Sequence, residues 1–194
     1  MNSECDLLLK GGHLIDPENG LDQIADLAIK DGRIAGVGPD LSGQAGQILN
    51  VSGLYITPGL IDIHVHVYGG YAGWLFPDQH ALPHGVTTVV DTGGAGYRDF
   101  DDFKKTIIEK ASTRVLAFLN IVGAGMTGPP EQDTADMDPE PCAAMIHQHP
   151  EHLVGSKSAH FGGPGWESAG GALQAARLSD TIAMIDFAPQ PTRT

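Results

Sequence analysis

The pattern of apolar and polar positions divides the chain into two regions. Residues 5–56 hold short apolar runs that are interrupted by glycine and aspartate. Within them, Asp31 and Gly32 stand between two apolar stretches, which is the signature of a two-residue β-hairpin turn. This pattern of short apolar runs and turn residues predicts a small antiparallel β-sheet module.

From Thr57 onward, apolar runs of strand length alternate with helical patterns. The predicted strands cover residues 60–67, 86–91, 114–122, 153–158 and 181–187. The predicted helices lie near residues 77–84, 99–111, 139–149 and 167–177. Such alternation is typical of parallel strands joined by right-handed crossovers. The periodicity is compatible with a doubly wound sheet and with an incomplete (β/α)8 barrel, and it does not separate the two.

Charge and composition narrow the class of partner. The formal net charge is -13, from 11 basic and 24 acidic residues. Nucleic acids and anionic membranes both require a basic surface, so the charge argues against them. No apolar run approaches the roughly 18 residues of a membrane span, and no signal-peptide pattern is visible. We expect a cytoplasmic protein that acts on a small molecule, with Cys5 and Cys142 as free thiols.

His64 and His66 are the first candidates for chemistry. They lie two positions apart in a predicted strand, so both imidazoles point to the same side and can bind one cation. The strand opens the alternating series, and α/β barrels carry their chemistry at the C-terminal ends of strands. The alternative is a pair of inward-facing polar side chains that are satisfied by hydrogen bonds. The spacing by itself does not choose between these.

The segment TPGLIDIHVH resembles the signature of the amidohydrolase superfamily, and GGHLIDPENG with ADLAIKDGRIAGVG resembles its N-terminal segment. GVTTVVDTG, GSKSAHF and GPGW are similar to the dihydroorotase-like and deacetylase-like branch. The resemblance implies a small β-sandwich beside a distorted (β/α)8 TIM-type barrel. Residues 1–56 would then be the N-terminal part of the sandwich, and residues 57–194 the first five βα units of the barrel.

The same resemblance implies a metal centre. His64 and His66 would bind the first of two divalent ions, expected to be zinc, and Lys157 carboxylated by CO2 would bridge the pair. A lysine that points into a barrel favours its neutral, CO2-reactive form, because burial disfavours the charge. The alternative is a surface lysine at a strand end. Asp186 stands where many members have a histidine ligand, so it is either a metal ligand or an acceptor behind one.

Two further polar residues are expected to contact substrate. Asp91 is expected to end the second barrel strand and face the pocket, or else to cap the glycine-rich turn that follows. His160 follows Lys157 on a loop that should frame the pocket, or else it is an ordinary polar loop residue. The histidines of HQHPEH are rejected as ligands, because helix positions two apart face away from each other.

A closed barrel needs eight strands and typically about 250 residues, whereas five strands are predicted here. The resemblance implies a further histidine ligand and a general-base aspartate beyond Thr194, so we expect a fragment and assign no catalytic residue within it. The full-length parent is expected to be a homo-oligomer that hydrolyses an amide, a cyclic amide (dihydroorotase-like) or an N-acyl or ester bond through a metal-bound hydroxide. The alternatives are a truncated, non-catalytic assembly module and a mononuclear deaminase of the same superfamily.

Overall fold

The structure is a computed structural model that describes residues 5–69 and 74–186. The chain forms two compact units, Met1–Pro58 and Gly59–Thr194, and each is described separately below. Within the described ranges, every helix is too short or too polar to cross a membrane.

The first unit is a five-stranded sheet. Its strands are β1 (Cys5–Asp16), β2 (Leu21–Lys30), β3 (Arg33–Gly38), β4 (Ala45–Asn50) and β5 (Tyr55–Ile56). β1 pairs antiparallel with β2, and β2 with β3, whereas β4 and β5 run parallel to β1 along its other edge. The sheet is therefore mixed rather than antiparallel as predicted. The reason is that residues 39–44 carry the chain from one edge of the sheet to the other, where it again runs in the direction of β1.

The predicted hairpin joins β2 to β3. Asp31 and Gly32 have φ values of 50° and 69°, which place both in the left-handed region that a type I′ turn requires. Glycine takes this conformation without a steric penalty, and aspartate tolerates it better than most residues. The hairpin prediction is thus confirmed by the two residues on which it was based.

The second unit is a parallel five-stranded sheet in the order β10-β9-β8-β7-β6. Its strands are β6 (Leu60–Val65), β7 (Val86–Gly96), β8 (Arg114–Asn120), β9 (Leu153–Ser158) and β10 (Ile182–Ile185). Its α-helices are α1 (Pro77–His80), α2 (Phe100–Phe103), α3 (Pro139–Gln148) and α4 (Glu167–Ser179). The alternation of strands and helices confirms the predicted α/β class with sequential parallel strands.

Helices of this unit cover one face of the sheet with small and aromatic side chains. On α4, Ala172, Ala175 and Ala176 are buried at positions spaced by three and four, which form one helical face. Phe100 and Phe103 of α2 are fully buried. The predicted helix over 99–111 is interrupted, because Lys104–Ile108 form a π-helical turn in which the amide of Glu109 bonds to the carbonyl of Lys104.

Candidate functional site

The predicted histidine pair lies where the first strand of the parallel sheet ends. His64 belongs to β6, whereas His66 follows the last strand residue, Val65, and so lies outside the strand in which it was predicted. The two rings are nevertheless neighbours, with centroids 5.7 Å apart and planes at 89°. The pair therefore faces one common space, as the spacing predicted.

Asp91 explains why β6 stops before His66. Its carboxylate accepts hydrogen bonds from the amides of Val67 at 2.7 Å, Tyr68 at 3.2 Å and Gly94 at 2.6 Å. The first two amides would otherwise need partners on the neighbouring strand. Asp91 thus holds the peptide that follows His66, in addition to the glycine-rich turn that it was predicted to cap.

Asp91 is completely buried, and β7 continues beyond it to Gly96, so the prediction that Asp91 ends this strand is wrong. The strand extends because the irregular stretch between Thr92 and Gly96 still pairs with β8. Burial raises the pKa of the Asp91 carboxyl, and the three amide bonds and the charge of Lys157 oppose that shift. The carboxylate is therefore occupied by backbone amides, and it positions the peptide that follows His66.

His66 carries an unused polar atom. Among the described residues, its Nδ1 is buried and has no hydrogen-bond partner. Buried polar atoms nearly always have a partner, so an unpaired ring nitrogen of this kind is a candidate for binding an ion. Burial is the main cause that lowers the pKa of His66 to about 4. The imidazole is therefore neutral at physiological pH, which is the form that binds a cation.

The charges around His66 show which predicted residues converge on it. Its pKa responds to the charges of four other predicted residues, namely His64, Lys157, His160 and Asp186. They come from three different strands or the segments that follow them. These residues therefore share one electrostatic environment near the ends of β6, β9 and β10. The C-terminal ends of strands are where α/β barrels hold their active sites.

Lys157 is buried inside the sheet rather than exposed at a strand end. It lies on β9, paired with Asn120 of β8 and Met184 of β10, and its side chain is 1% exposed. Burial lowers the pKa of its ammonium group, and the neighbouring Asp186 and Asp91 oppose that shift. Nζ of Lys157 lies 3.5 Å from Oδ2 of Asp186, which follows β10 directly.

Two residues that support Lys157 were not anticipated from the sequence. Gly93 has φ of 89°, and a Cβ added there would lie 2.8 Å from Cγ of Lys157. Asn120 is buried; its Nδ2 donates to the carbonyl of Gly93, and its Oδ1 accepts from the amide of Val122. The available signal was the GG dipeptide just after the predicted strand 86–91, because a glycine in a strand can mark close approach of another chain segment.

An acidic partner of His160 was also missed. Nδ1 of His160 lies 3.1 Å from Oε2 of Glu131, which belongs to the 3-10 turn Pro129–Gln132 between β8 and α3. The carbonyl of His160 accepts a hydrogen bond from Gln132. Glu131 thus holds the ring of His160, and Gln132 holds its carbonyl. The sequence around His160 did not indicate either partner.

The described residues contain no group of three or more His, Cys, Asp or Glu side chains arranged to hold a metal ion. Within those residues, His64 and His66 therefore form a pair without a third side chain of these types arranged beside them. The rejected histidines are engaged elsewhere: His147 bonds to the carbonyl of Leu178, and His149 lies near Asp101 and Glu151.

Curated proteins of known activity match part of the chain. The chain matches no protein-family model. A deacetylase of Agrobacterium fabrum is 37% identical over 133 residues, which are 66% of this chain and 33% of the relative. Curated dihydroorotases and adenine deaminases match over shorter stretches. The chain spans 33% to 41% of the length of the Agrobacterium fabrum deacetylase and of two other curated deacetylases.

Solved structures match almost the whole chain. A crystal structure of a dihydroorotase superposes with a TM-score of 0.83 at 29% identity, over 92% of this chain and 50% of that one. An adenine deaminase superposes with a TM-score of 0.80 at 28% identity, over 96% and 52% of the two chains. These matches identify the parallel sheet as an incomplete (β/α)8 barrel rather than a doubly wound sheet.

Proposed function

Because the chain is homologous to deacetylases, dihydroorotases and adenine deaminases of the amidohydrolase superfamily, we propose that its full-length protein hydrolyses a carbon–nitrogen bond in a small molecule. The bond is an amide, a cyclic amide or an N-acyl group, with a related ester as the alternative. The observation that carries the proposal is the buried Nδ1 of His66, which has no hydrogen-bond partner in the described part of the chain and lies next to His64 and the buried Lys157.

The residues present fit a divalent metal centre. Neutral imidazoles are common zinc ligands, and the orphan atom of His66 would gain a partner from a bound cation. His64 and His66 would hold one ion, and carboxylated Lys157 would join it to a second. A crystal structure of the N-acyl-D-glutamate deacylase from Bordetella bronchiseptica was obtained with zinc, which supports zinc as the first metal to test. When bound, such ions lower the pKa of water and polarise a carbonyl group.

The buried position of Lys157 is compatible with carboxylation of its amine. Burial favours the neutral amine, and a neutral amine is the form that reacts with CO2. The product is an anion that would then lie next to Asp186, whose carboxylate now faces Nζ at 3.5 Å. Two neighbouring anions repel each other. A cation between them would remove that repulsion, so carboxylation and metal binding should occur together, with Asp186 as a ligand.

The remaining polar residues have supporting roles. Asp91 holds the peptide after His66 through two backbone amides and thereby orients this ligand. His160 is half exposed and anchored by Glu131, so it can contact a substrate without losing its orientation. We assign the proton shuttle to no residue of this chain. We also propose a homo-oligomeric full-length protein.

A second candidate is a mononuclear deaminase. The adenine deaminase structure has nearly the same TM-score as the dihydroorotase, which supports this alternative. A mononuclear site would not need a bridging group on Lys157. A third candidate from another class is a non-catalytic assembly module, which would require no bound metal.

Elemental analysis of the full-length protein tests the proposal. Prepared with zinc and bicarbonate, the protein should hold about two divalent ions per chain, as a binuclear site requires. Omission of bicarbonate should lower that number, because the carboxylated lysine cannot form. His64→Ala should lose most of the metal, whereas His147→Ala should keep it, because His147 bonds to a backbone carbonyl away from the site.

Three outcomes would contradict the proposal or redirect it. A full-length protein without bound metal under these conditions would reject the hydrolase and favour the assembly module. One ion per chain, with hydrolysis retained in Lys157→Ala, would favour the mononuclear deaminase. Metal content that does not respond to bicarbonate would reject the carboxylated lysine while leaving the histidine site intact.

A further inference from the structure

Glu131 and His160 form a polar pair beside the candidate metal site. Oε2 of Glu131 lies 3.1 Å from Nδ1 of His160. The side chain of Glu131 is 3% exposed, whereas that of His160 is 50% exposed. The imidazole therefore lies between a buried carboxylate and solvent.

The hydrogen-bond pattern determines which ring nitrogen of His160 carries the proton. Oε1 of Glu131 accepts from the amide of Gly128 at 2.9 Å. An ionised carboxylate can only accept, so Oε2 must receive a hydrogen from Nδ1 of His160. In the neutral ring, Nε2 then keeps its lone pair and acts as an acceptor.

The backbone of His160 is also constrained. Its φ of 52° lies in the left-handed region, which is uncommon for a residue other than glycine and is often found at functional sites. Gln132 donates through Nε2 to the carbonyl of His160 at 2.9 Å and accepts through Oε1 from the amide of Gly162 at 2.8 Å. Two successive residues, Glu131 and Gln132, thus fix both the ring and the peptide.

The position of His160 relates this pair to the metal site. It follows Lys157 by three residues and lies two residues beyond Ser158, where β9 ends, and its charge acts on His66. We infer that Glu131 is a positioning residue that holds His160 with an unprotonated Nε2 available to accept a hydrogen bond from an N–H group of the substrate. This inference rests on the proposed function and deepens it. A fixed acceptor favours secondary and cyclic amides, which carry an N–H at the scissile bond, over esters, which carry none.

Glu131→Gln tests the positioning directly. Because the amide of Gly128 requires an oxygen, the new NH2 group must face Nδ1 of His160 and donate to it. The variant should therefore invert the tautomer of His160, from Nδ1–H to Nε2–H. Long-range 1H–15N spectra of the full chain labelled with 15N-histidine, recorded at alkaline pH, report the tautomer of each ring. His160→Asn identifies the resonances, because its signals disappear.

The matched control is Glu140→Gln, which removes the same charge from an exposed glutamate on α3. It should leave the His160 tautomer unchanged. The inference is overturned if the wild-type ring already carries its proton on Nε2, or if Glu131→Gln leaves the tautomer as it was. A change of equal size in the Glu140→Gln control would also overturn it.

Activity of the full-length enzyme tests the selectivity. Glu131→Gln should lower kcat/KM for a secondary amide by about tenfold relative to the ester of the same acyl group, as expected for loss of one hydrogen bond. An equal loss for both substrates would reject the selectivity. If wild-type enzyme hydrolyses neither substrate while the tautomer inverts as expected, the proposed function fails and the positioning by Glu131 stands.

Discussion

At the scale of single residues, Gly93 determines whether Lys157 can occupy its buried position. The α-carbon of Gly93 approaches the aliphatic part of the lysine so closely that a Cβ would lie 2.8 Å from Cγ and 3.2 Å from Cβ of Lys157. A Cβ essentially never comes within 3.0 Å of a heavy atom outside its own residue and the two residues bonded to it. The lysine, its strand or the glycine turn would have to move.

Gly93→Ala should therefore destabilise the protein and disturb the metal site together. The left-handed φ of 89° adds backbone strain to the collision, and we expect a loss of about 1–3 kcal/mol in the free energy of unfolding. Urea unfolding measures the stability. If the full-length protein binds zinc as proposed, elemental analysis should find less of it in this variant, because Lys157 is displaced.

Gly170→Ala is the matched control for this change. Gly170 lies within α4, and an added Cβ would meet no atom within 4 Å. Alanine is the better helix former, so this variant should gain about 0.5–1 kcal/mol and keep its metal. Equal effects of the two substitutions would show that contact with Lys157 is not the cause.

At the scale of elements, the turn from β7 into α2 contains Asp99, a carboxyl group whose pKa is raised. Oδ1 of Asp99 accepts a hydrogen bond from the amide of Gly96 at 2.7 Å. Burial nevertheless raises the pKa of Asp99 to about 6, while that amide and the charge of Arg98 act in the opposite direction. The cost of removing the carboxylate from water therefore exceeds the gain from its contacts.

Asp99 should make the free energy of unfolding fall as the pH rises. The folded-state pKa of Asp99, about 6, exceeds its ordinary value of 3.8, so the folded state binds this proton more tightly. The resulting stabilisation is complete below the ordinary value and is lost as pH rises through about 6. In Asp99→Asn, which cannot titrate, the free energy of unfolding relative to wild type should rise between about pH 4 and pH 7.

Urea unfolding at several pH values measures this difference, and Asp101→Asn is the control. The side chain of Asp101 is 82% exposed, so this control removes a neighbouring carboxyl group that is not buried. A constant difference between Asp99→Asn and wild type over this range would mean that Asp99 ionises normally in the folded protein.

At the scale of the whole molecule, the parallel sheet has two open edges within the described residues, formed by β6 and β10. Both edges carry exposed branched side chains, including Ile61 at 61%, Ile63 at 64% and Ile182 at 65% exposure. Unpaired strand edges of this kind are templates for association with another chain, and a charged residue on the edge opposes it.

Ile63→Lys should therefore reduce self-association of the 194-residue chain. Sedimentation velocity over a range of concentrations measures the effect, and the variant should remain monomeric at higher concentration than wild type. Leu173→Lys is the control, because Leu173 is 46% exposed on α4 and lies on no strand edge. If both variants behave alike, added charge rather than the strand edge determines the association.

The sequence by itself determined the elements and the residue types of the site. Strand and helix periodicity depends on neighbouring positions, so the alternation after Thr57 and the turn at Asp31 and Gly32 were predictable. The spacing of His64 and His66 predicted two rings on one side for the same local reason. Resemblance to a known superfamily added the barrel, and solved structures confirm it.

Only the tertiary structure decided how these residues are held. Asp91 bonds to amides that lie more than twenty positions earlier, and Glu131 meets His160 across a whole helix and strand. No periodicity encodes such contacts, because they depend on which strands become neighbours and where each one ends. The end of β6 before His66 and the burial of Lys157 follow from that packing. These two features make the local histidine pair a candidate metal centre.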